Sequence, residues 1–125
     1  MAQATLRNAI DWFEIPVRDL DRAQRFYEAL LGAPLRREQM GDATLAVYTY
    51  DEHGVGGCLF AGGDLGPAAQ GTIVYLNAAP SLDAVLARVE RAGGRIATPT
   101  VQLPGDMGAF AHILDTEGNR VGLHA

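Results

Sequence analysis

Apolar and polar residues follow two different periods along this chain, and the same succession of periods occurs twice. Over residues 11–17 the apolar side chains Phe13, Ile15 and Val17 fall at every second position, as in a strand with one face in a core. Pro16 and the polar pair Arg18-Asp19 close that strand. From Leu20 the period lengthens: Leu20, Ala23, Phe26, Tyr27, Leu30 and Leu31 recur at helical spacing, with Asp19 placed as an N-cap and Gly32 as a stop. Three short strand candidates follow at 35–39, 44–50 and 55–61. The second half runs in the same order. A strand over 71–77 leads to Ser81 as a cap, and Leu82, Val85, Leu86 and Val89 form an apolar helical stripe that ends at Gly93-Gly94. Strands are predicted over 95–102, 109–114 and 120–124, and the polar turns YDEHG and LDTEGN read as hairpin connections within each half.

Individual residues repeat as well. Leu20-Asp21 recurs as Leu82-Asp83 and Gly32 as Gly94, each 62 positions on. Gly41-Asp42 recurs as Gly105-Asp106, Asp51 as Asp115 and Gly54 as Gly118, each 64 positions on. Five matches in order indicate two modules, about 8–62 and 70–125, joined through Gly62-Gly63, Gly66 and Pro67. The predicted class is α+β, a βαβββ order used twice within one domain.

Composition removes several function classes. With 125 residues, 48 % of them hydrophobic, the chain can bury a core. A net charge of −5 and basic pairs interrupted by other residues (Arg36-Arg37, Arg88 with Arg91) argue against nucleic acid. No apolar run reaches the roughly 18 residues of a membrane span. MAQATLRNAIDW lacks the apolar core of an export signal, and the lone Cys58 excludes an internal disulfide, so a cytoplasmic location is expected.

The stretch WFEIPVRDLDRAQRFYEALLG, with Val17-Arg18-Asp19-Leu20, Phe26-Tyr27 and Leu31-Gly32, and later Leu114-Asp115 with Gly118-Asn119, resembles the vicinal oxygen chelate superfamily. That family includes glyoxalase I, bleomycin-resistance proteins and extradiol dioxygenases. The resemblance runs from Ile10 to His124. It implies a cupped mixed sheet around a cavity, helices outside, and a homodimer. In metal-dependent members His, Gln or Glu ligands come from the first, fourth, fifth and eighth strands. Counting along the chain, those positions here are Trp12, Gly56, Ile73 (or Val74) and Gly122, none of which offers a metal a lone pair.

Strand alternation then sorts the side chains. Phe13, Ile15, Val17, Val74, Leu76, Val121 and Leu123 belong to the helix side. Trp12, Glu14, Gly56, Cys58, Ile73, Tyr75, Asn77, Gly122 and His124 belong to the cavity. Glu14 on an otherwise apolar strand needs a partner, and His124 could supply one and share a proton with it; Arg120 is the structural alternative. Trp12, Tyr75 and Phe110 would make flat walls for a planar ligand, or fill the cup as core. Glu14, His112 and His124 have the right types for a displaced metal site. His53 lies in a turn, and Cys58 reads as a small buried hydrophobe. The expected function is small-molecule binding in the cup with no cofactor. Glu14 and His124 are the candidate acid–base residues, and Trp12, Tyr75, Asn77, Phe110 and His112 the binding residues. The alternative is a lyase, isomerase or dioxygenase-type enzyme with Glu14 as base. Exposed sheet edges support pairing of two copies.

Overall fold

The computed structural model describes residues 8–125, so the first part of the segment examined for an export signal lies outside the described residues. The first module contains β1 (Trp12–Pro16), α1 (Leu20–Leu31), β2 (Arg36–Met40), β3 (Ala43–Val47) and β4 (Gly56–Ala61). The second contains β5 (Tyr75–Asn77), α2 (Leu82–Leu86), α3 (Val89–Ala92), β6 (Arg95–Gln102), β7 (Ala109–Leu114) and β8 (Arg120–His124). Each module forms its own four-stranded mixed sheet, in the orders β1-β4-β3-β2 and β5-β8-β7-β6. In both, the first strand runs parallel to the last and the other pairings are antiparallel. The internal repeat is thus a repeat of topology.

Local chemistry sets the element ends. Asp19 caps α1 by accepting from the Arg22 N–H at 3.0 Å, and Gly32 ends it in the left-handed conformation (φ 71°) while donating to the Glu28 carbonyl. Ser81 caps α2 in the same way through the Ala84 N–H, at 3.1 Å. The helix-facing residues form one core with Phe26, Tyr27 and Leu30 of α1, joined by Ile15, Val17, Leu59, Leu76, Val89, Ile113, Val121 and Leu123. No helix among the described residues is long and apolar enough to cross a membrane.

Three expectations change. The strand predicted over 71–77 is regular only over its last three residues. The second helix is broken in two, because the Arg88 N–H bonds the Val85 carbonyl three residues back and tightens the chain there. The turn LDTEGN is not merely a polar hairpin loop: Asp115, Glu117 and Asn119 are all buried.

That turn fastens one module to the other. The Glu117 carboxylate accepts from the backbone N–H groups of Arg18 and Asp19 at 3.0 and 2.9 Å, and from Arg22 Nε and Nη2 at 2.6 and 3.0 Å. Asp115 accepts from the Tyr27 hydroxyl at 2.6 Å, and Asn119 Nδ2 donates to the Pro16 carbonyl at 2.8 Å. Burial pushes the Glu117 carboxyl toward neutrality, but the Arg22 hydrogen bond, the Asp19 and Arg18 amides and the Thr116 hydroxyl outweigh it and hold its pKa at about 2.

Because the folded-state pKa lies below the ordinary 4.5, the ionised latch contributes its full stability above pH 4.5 and loses it as pH falls through about 2. The shift corresponds to about 3 kcal/mol. Thermal unfolding between pH 6 and pH 2.5 is expected to show this loss, and Glu117→Gln should lower stability by about 2–3 kcal/mol at pH 7 while flattening the acid slope. An unchanged slope in the variant would place the acid sensitivity elsewhere.

Candidate functional site

The open faces of the two sheets carry the candidate residues, and pairing register identifies equivalent positions. Trp12 pairs with Gly56 across β1 and β4, and Tyr75 pairs with Gly122 across β5 and β8. Two pairs further along, on the same face, Glu14 lies beside Cys58 and Asn77 beside His124. The fifth-strand counterpart of Trp12 is therefore Tyr75, which corrects the position counted as Ile73 or Val74. Those two residues precede β5 and share a cavity wall with Tyr75.

The two glycines are covered by aromatic rings. A Cβ on Gly122 would meet the Tyr75 ring at 2.3 Å, and one on Gly56 would meet the Tyr50 ring at 2.4 Å. Glycine at both positions lets a ring lie flat where a ligand-bearing side chain would otherwise stand. Tyr50 was read as a strand residue. It instead follows the end of β3, and its ring packs edge-on to Trp12 with centroids 6.0 Å apart.

Two cavities meet at Tyr75. The smaller, about 580 Å³, is lined by Tyr75, Leu76, Asn77, Leu103, Phe110 and His124. The larger, about 1150 Å³, follows the seam between the modules, with Trp12, Tyr48 and Tyr50 on one side and 72–77 on the other. Sequence reasoning placed Tyr75, Asn77, Phe110 and His124 together, and the structure brings all four to one cavity. Trp12 reaches the neighbouring cavity. The Tyr75, Phe110 and His112 rings cluster with centroids 5.5–5.7 Å apart, and the Tyr75 hydroxyl lies 2.7 Å from His112 Nε2. Leu103 and Tyr48 escaped the sequence reading; the Tyr48 hydroxyl is buried without a hydrogen-bond partner among the described residues.

Glu14 and His124 do not form the expected pair. They lie on different sheets, Glu14 with Cys58 Sγ at 3.9 Å and His124 Nε2 with the Met107 carbonyl at 2.8 Å. Glu14 is exposed, so its strand imposes no burial cost on it. Arg120 is directed to His112 Nδ1 at 3.3 Å and to Thr98, not to Glu14. Among the described residues no three His, Cys, Asp or Glu side chains converge as a metal site would need, so Glu14, His112 and His124 do not assemble the displaced set. The fully buried Cys58 thiol has its pKa raised to about 11 by burial and by Glu14, which suppresses its nucleophilic form. His53 is exposed in its turn.

A family model described as Glyoxalase/Bleomycin resistance protein/Dioxygenase superfamily matches residues 9–123. No curated protein matches the sequence significantly. Among solved structures, a glyoxalase I variant from Zea mays superposes with a TM-score of 0.71 at 24% identity, covering 98% of this chain and 47% of that one. This chain thus spans about half the length of the maize protein. A glyoxylase/bleomycin resistance protein/dioxygenase domain from Frankia sp. matches at a TM-score of 0.69 and 22% identity, covering 96% of this chain and 92% of the other. A glyoxalase/bleomycin resistance protein from Albidiferax ferrireducens matches at 0.67 and 20%, covering 94% and 98%. At these identities the likeness shows the fold.

The contact between Tyr75 and Gly122 can be tested directly. Gly122→Ala should displace the ring and cost about 1–3 kcal/mol by overpacking, whereas adding Tyr75→Ala should recover part of that loss. Additive losses in chemical denaturation would show that the ring does not depend on the missing Cβ.

Proposed function

The chain belongs to the Glyoxalase/Bleomycin resistance protein/Dioxygenase superfamily, and from that premise we propose that it binds a small planar molecule in the cup of its sheets without a metal. One observation carries this reading. Tyr75, Asn77, Phe110 and His124, from three adjacent strands, border a single cavity of about 580 Å³ whose walls are mainly flat and apolar with a few polar groups among them. Metal independence is supported by the positions themselves: Trp12, Gly56 and Gly122 have no donor atom, and the Tyr75 hydroxyl is engaged with His112.

The enzyme reading, a lyase, isomerase or dioxygenase-type reaction with Glu14 as base, is less well supported. A base needs a partner to receive or return its proton, and His124 bonds elsewhere on the other sheet. A cytoplasmic homodimer is the accompanying proposal. Its support is the large apolar surface left uncovered on one chain, with Trp12 and Tyr75 respectively 40% and 48% exposed, together with the sheet edges at β1, β2, β5 and β6.

A thermal-shift screen over planar aromatic metabolites, run with and without divalent ions, should find stabilising compounds whose effect is insensitive to the ions. Phe110→Ala should abolish the shift and Glu14→Gln should leave it unchanged. A tenfold loss of affinity in Glu14→Gln, about 1.4 kcal/mol, or turnover of a ketoaldehyde–thiol adduct that depends on Glu14, would favour the enzyme reading instead.

Light scattering at micromolar concentration should give twice the 13.3 kDa mass of the chain. A monomer at that mass would overturn the pairing.

A further inference from the structure

Three side chains on the open face of the second sheet are joined in series, and the order of donors and acceptors fixes where one proton is free. Arg120 has only N–H groups to offer, so its Nη1 contact at 3.3 Å makes His112 Nδ1 an acceptor. A neutral imidazole with its lone pair on Nδ1 carries its proton on Nε2, which lies 2.7 Å from the Tyr75 hydroxyl oxygen. That oxygen therefore accepts from His112, and the Tyr75 O–H remains available as a donor. Burial and the Arg120 charge both lower the His112 pKa, in keeping with the neutral ring.

The neighbouring groups are oriented by the same logic. Asn77 Oδ1 accepts from the Ala79 N–H at 2.9 Å, which leaves both hydrogens of its amide nitrogen for other acceptors. His124 Nε2 faces the Met107 carbonyl at 2.8 Å, and a carbonyl only accepts, so this nitrogen donates to the protein. Two donors, Tyr75 and Asn77, thus border a cavity whose other walls include Phe110, Leu103 and Leu76.

We infer that this cavity takes an aromatic compound whose ring bears a conjugated carbonyl oxygen, with the Tyr75 hydroxyl as hydrogen-bond donor to that oxygen and His112 as its positioning residue. This rests on the binding reading above and adds the ligand class. A carbonyl in conjugation with a ring is coplanar with it, so the aromatic body can lie against Phe110 while the oxygen meets the donors. A ligand presenting only N–H or ammonium groups would find Tyr75 and Asn77 offering hydrogens against its own, and Arg120 nearby as a like charge.

Two probes of similar shape separate the ring from the oxygen: methyl naphthyl ketone and ethylnaphthalene, titrated into the wild-type chain, Tyr75→Phe and His112→Leu. Tyr75→Phe retains the ring over Gly122 and removes only the hydroxyl. The ketone should bind this variant about tenfold more weakly, and its infrared carbonyl band should return toward the frequency of the unbonded ketone. Ethylnaphthalene should bind both proteins equally. His112→Leu should give a smaller loss for the ketone and a broadened carbonyl band, because the hydroxyl is no longer held. Equal losses for both probes, or a carbonyl frequency that Tyr75→Phe does not move, would overturn this inference and leave the binding reading intact. Failure of both probes to bind the wild-type chain would overturn the two together.

Discussion

The Glu117 side chain is fully buried, and its carboxylate accepts from two backbone amides, two guanidinium N–H groups and one hydroxyl. An ion in that position is costly to bury unless almost every lone pair is matched, and here all the matching groups except the Thr116 hydroxyl come from the other module. The N-terminal end of α1 supplies Arg18, Asp19 and Arg22, so the carboxylate also sits where the helix dipole favours negative charge. Asp115 and Asn119 in the same turn extend the attachment to Tyr27 and Pro16. Among the described residues the two sheets share no strand pairing, so polar contacts from one turn, together with the common apolar core, fix how their open faces stand. The seam cavity inherits its walls from that arrangement.

The open faces show what two copies of one backbone plan can become. The register places Trp12, Gly56, Glu14 and Cys58 opposite to Tyr75, Gly122, Asn77 and His124 in the pseudo-symmetric scheme. In the first module Leu45, Val47 and Cys58 close much of the face into a small apolar cluster of its own. In the second, Asn77 and His124 keep polar atoms beside open volume, and His112 and Arg120 extend hydrogen bonding from Tyr75 across the same face. The same fold therefore supplies one face that is mainly packing and another that retains hydrogen-bonding chemistry. Membership of a superfamily transmits the frame, and side chains at a few register positions decide what the frame can do.

Much of the frame was legible because its signals are local. Asp19 and Ser81 are polar residues directly before apolar helical stripes, Gly32 directly follows one, and strand alternation separated Ile15 and Leu76 from Trp12 and Tyr75. Tyr75, Asn77 and His124 were recoverable from alternation, since a strand cannot turn one side chain without turning its neighbours, and Phe110 from its aromatic type. What escaped depends on contacts between distant segments. Nothing within LDTEGN indicates that its carboxylates are buried, because the groups that compensate them lie about a hundred residues earlier, at 16–27. Counting along the chain misplaced the fifth-strand position, because Tyr75 stands six residues before the cap Ser81 whereas Trp12 stands seven before the cap Asp19. The proposed pairing of Glu14 with His124 failed for a related reason: it required two sheets to meet edge to edge at those residues, and side-chain type carries no information about that distance.

The aromatic cover over Gly56 and Gly122 connects these observations to chemistry. A glycine in a strand weakens it unless something exploits the space, and here a tyrosine ring does so at both equivalent positions. At Gly56 the ring comes from Tyr50, beyond the end of a neighbouring strand, and stacks edge-on against Trp12. At Gly122 it comes from the paired residue Tyr75, whose hydroxyl then reaches His112 and joins the chain from Arg120. The two solutions fill the same space but leave different atoms at the surface of the cup. The first packs the Tyr50 ring edge-on against an indole. The second presents a phenol whose oxygen already accepts one hydrogen bond, and this is why the second sheet, rather than the carboxylate of Glu14 on the first, carries the more specific chemistry of the site.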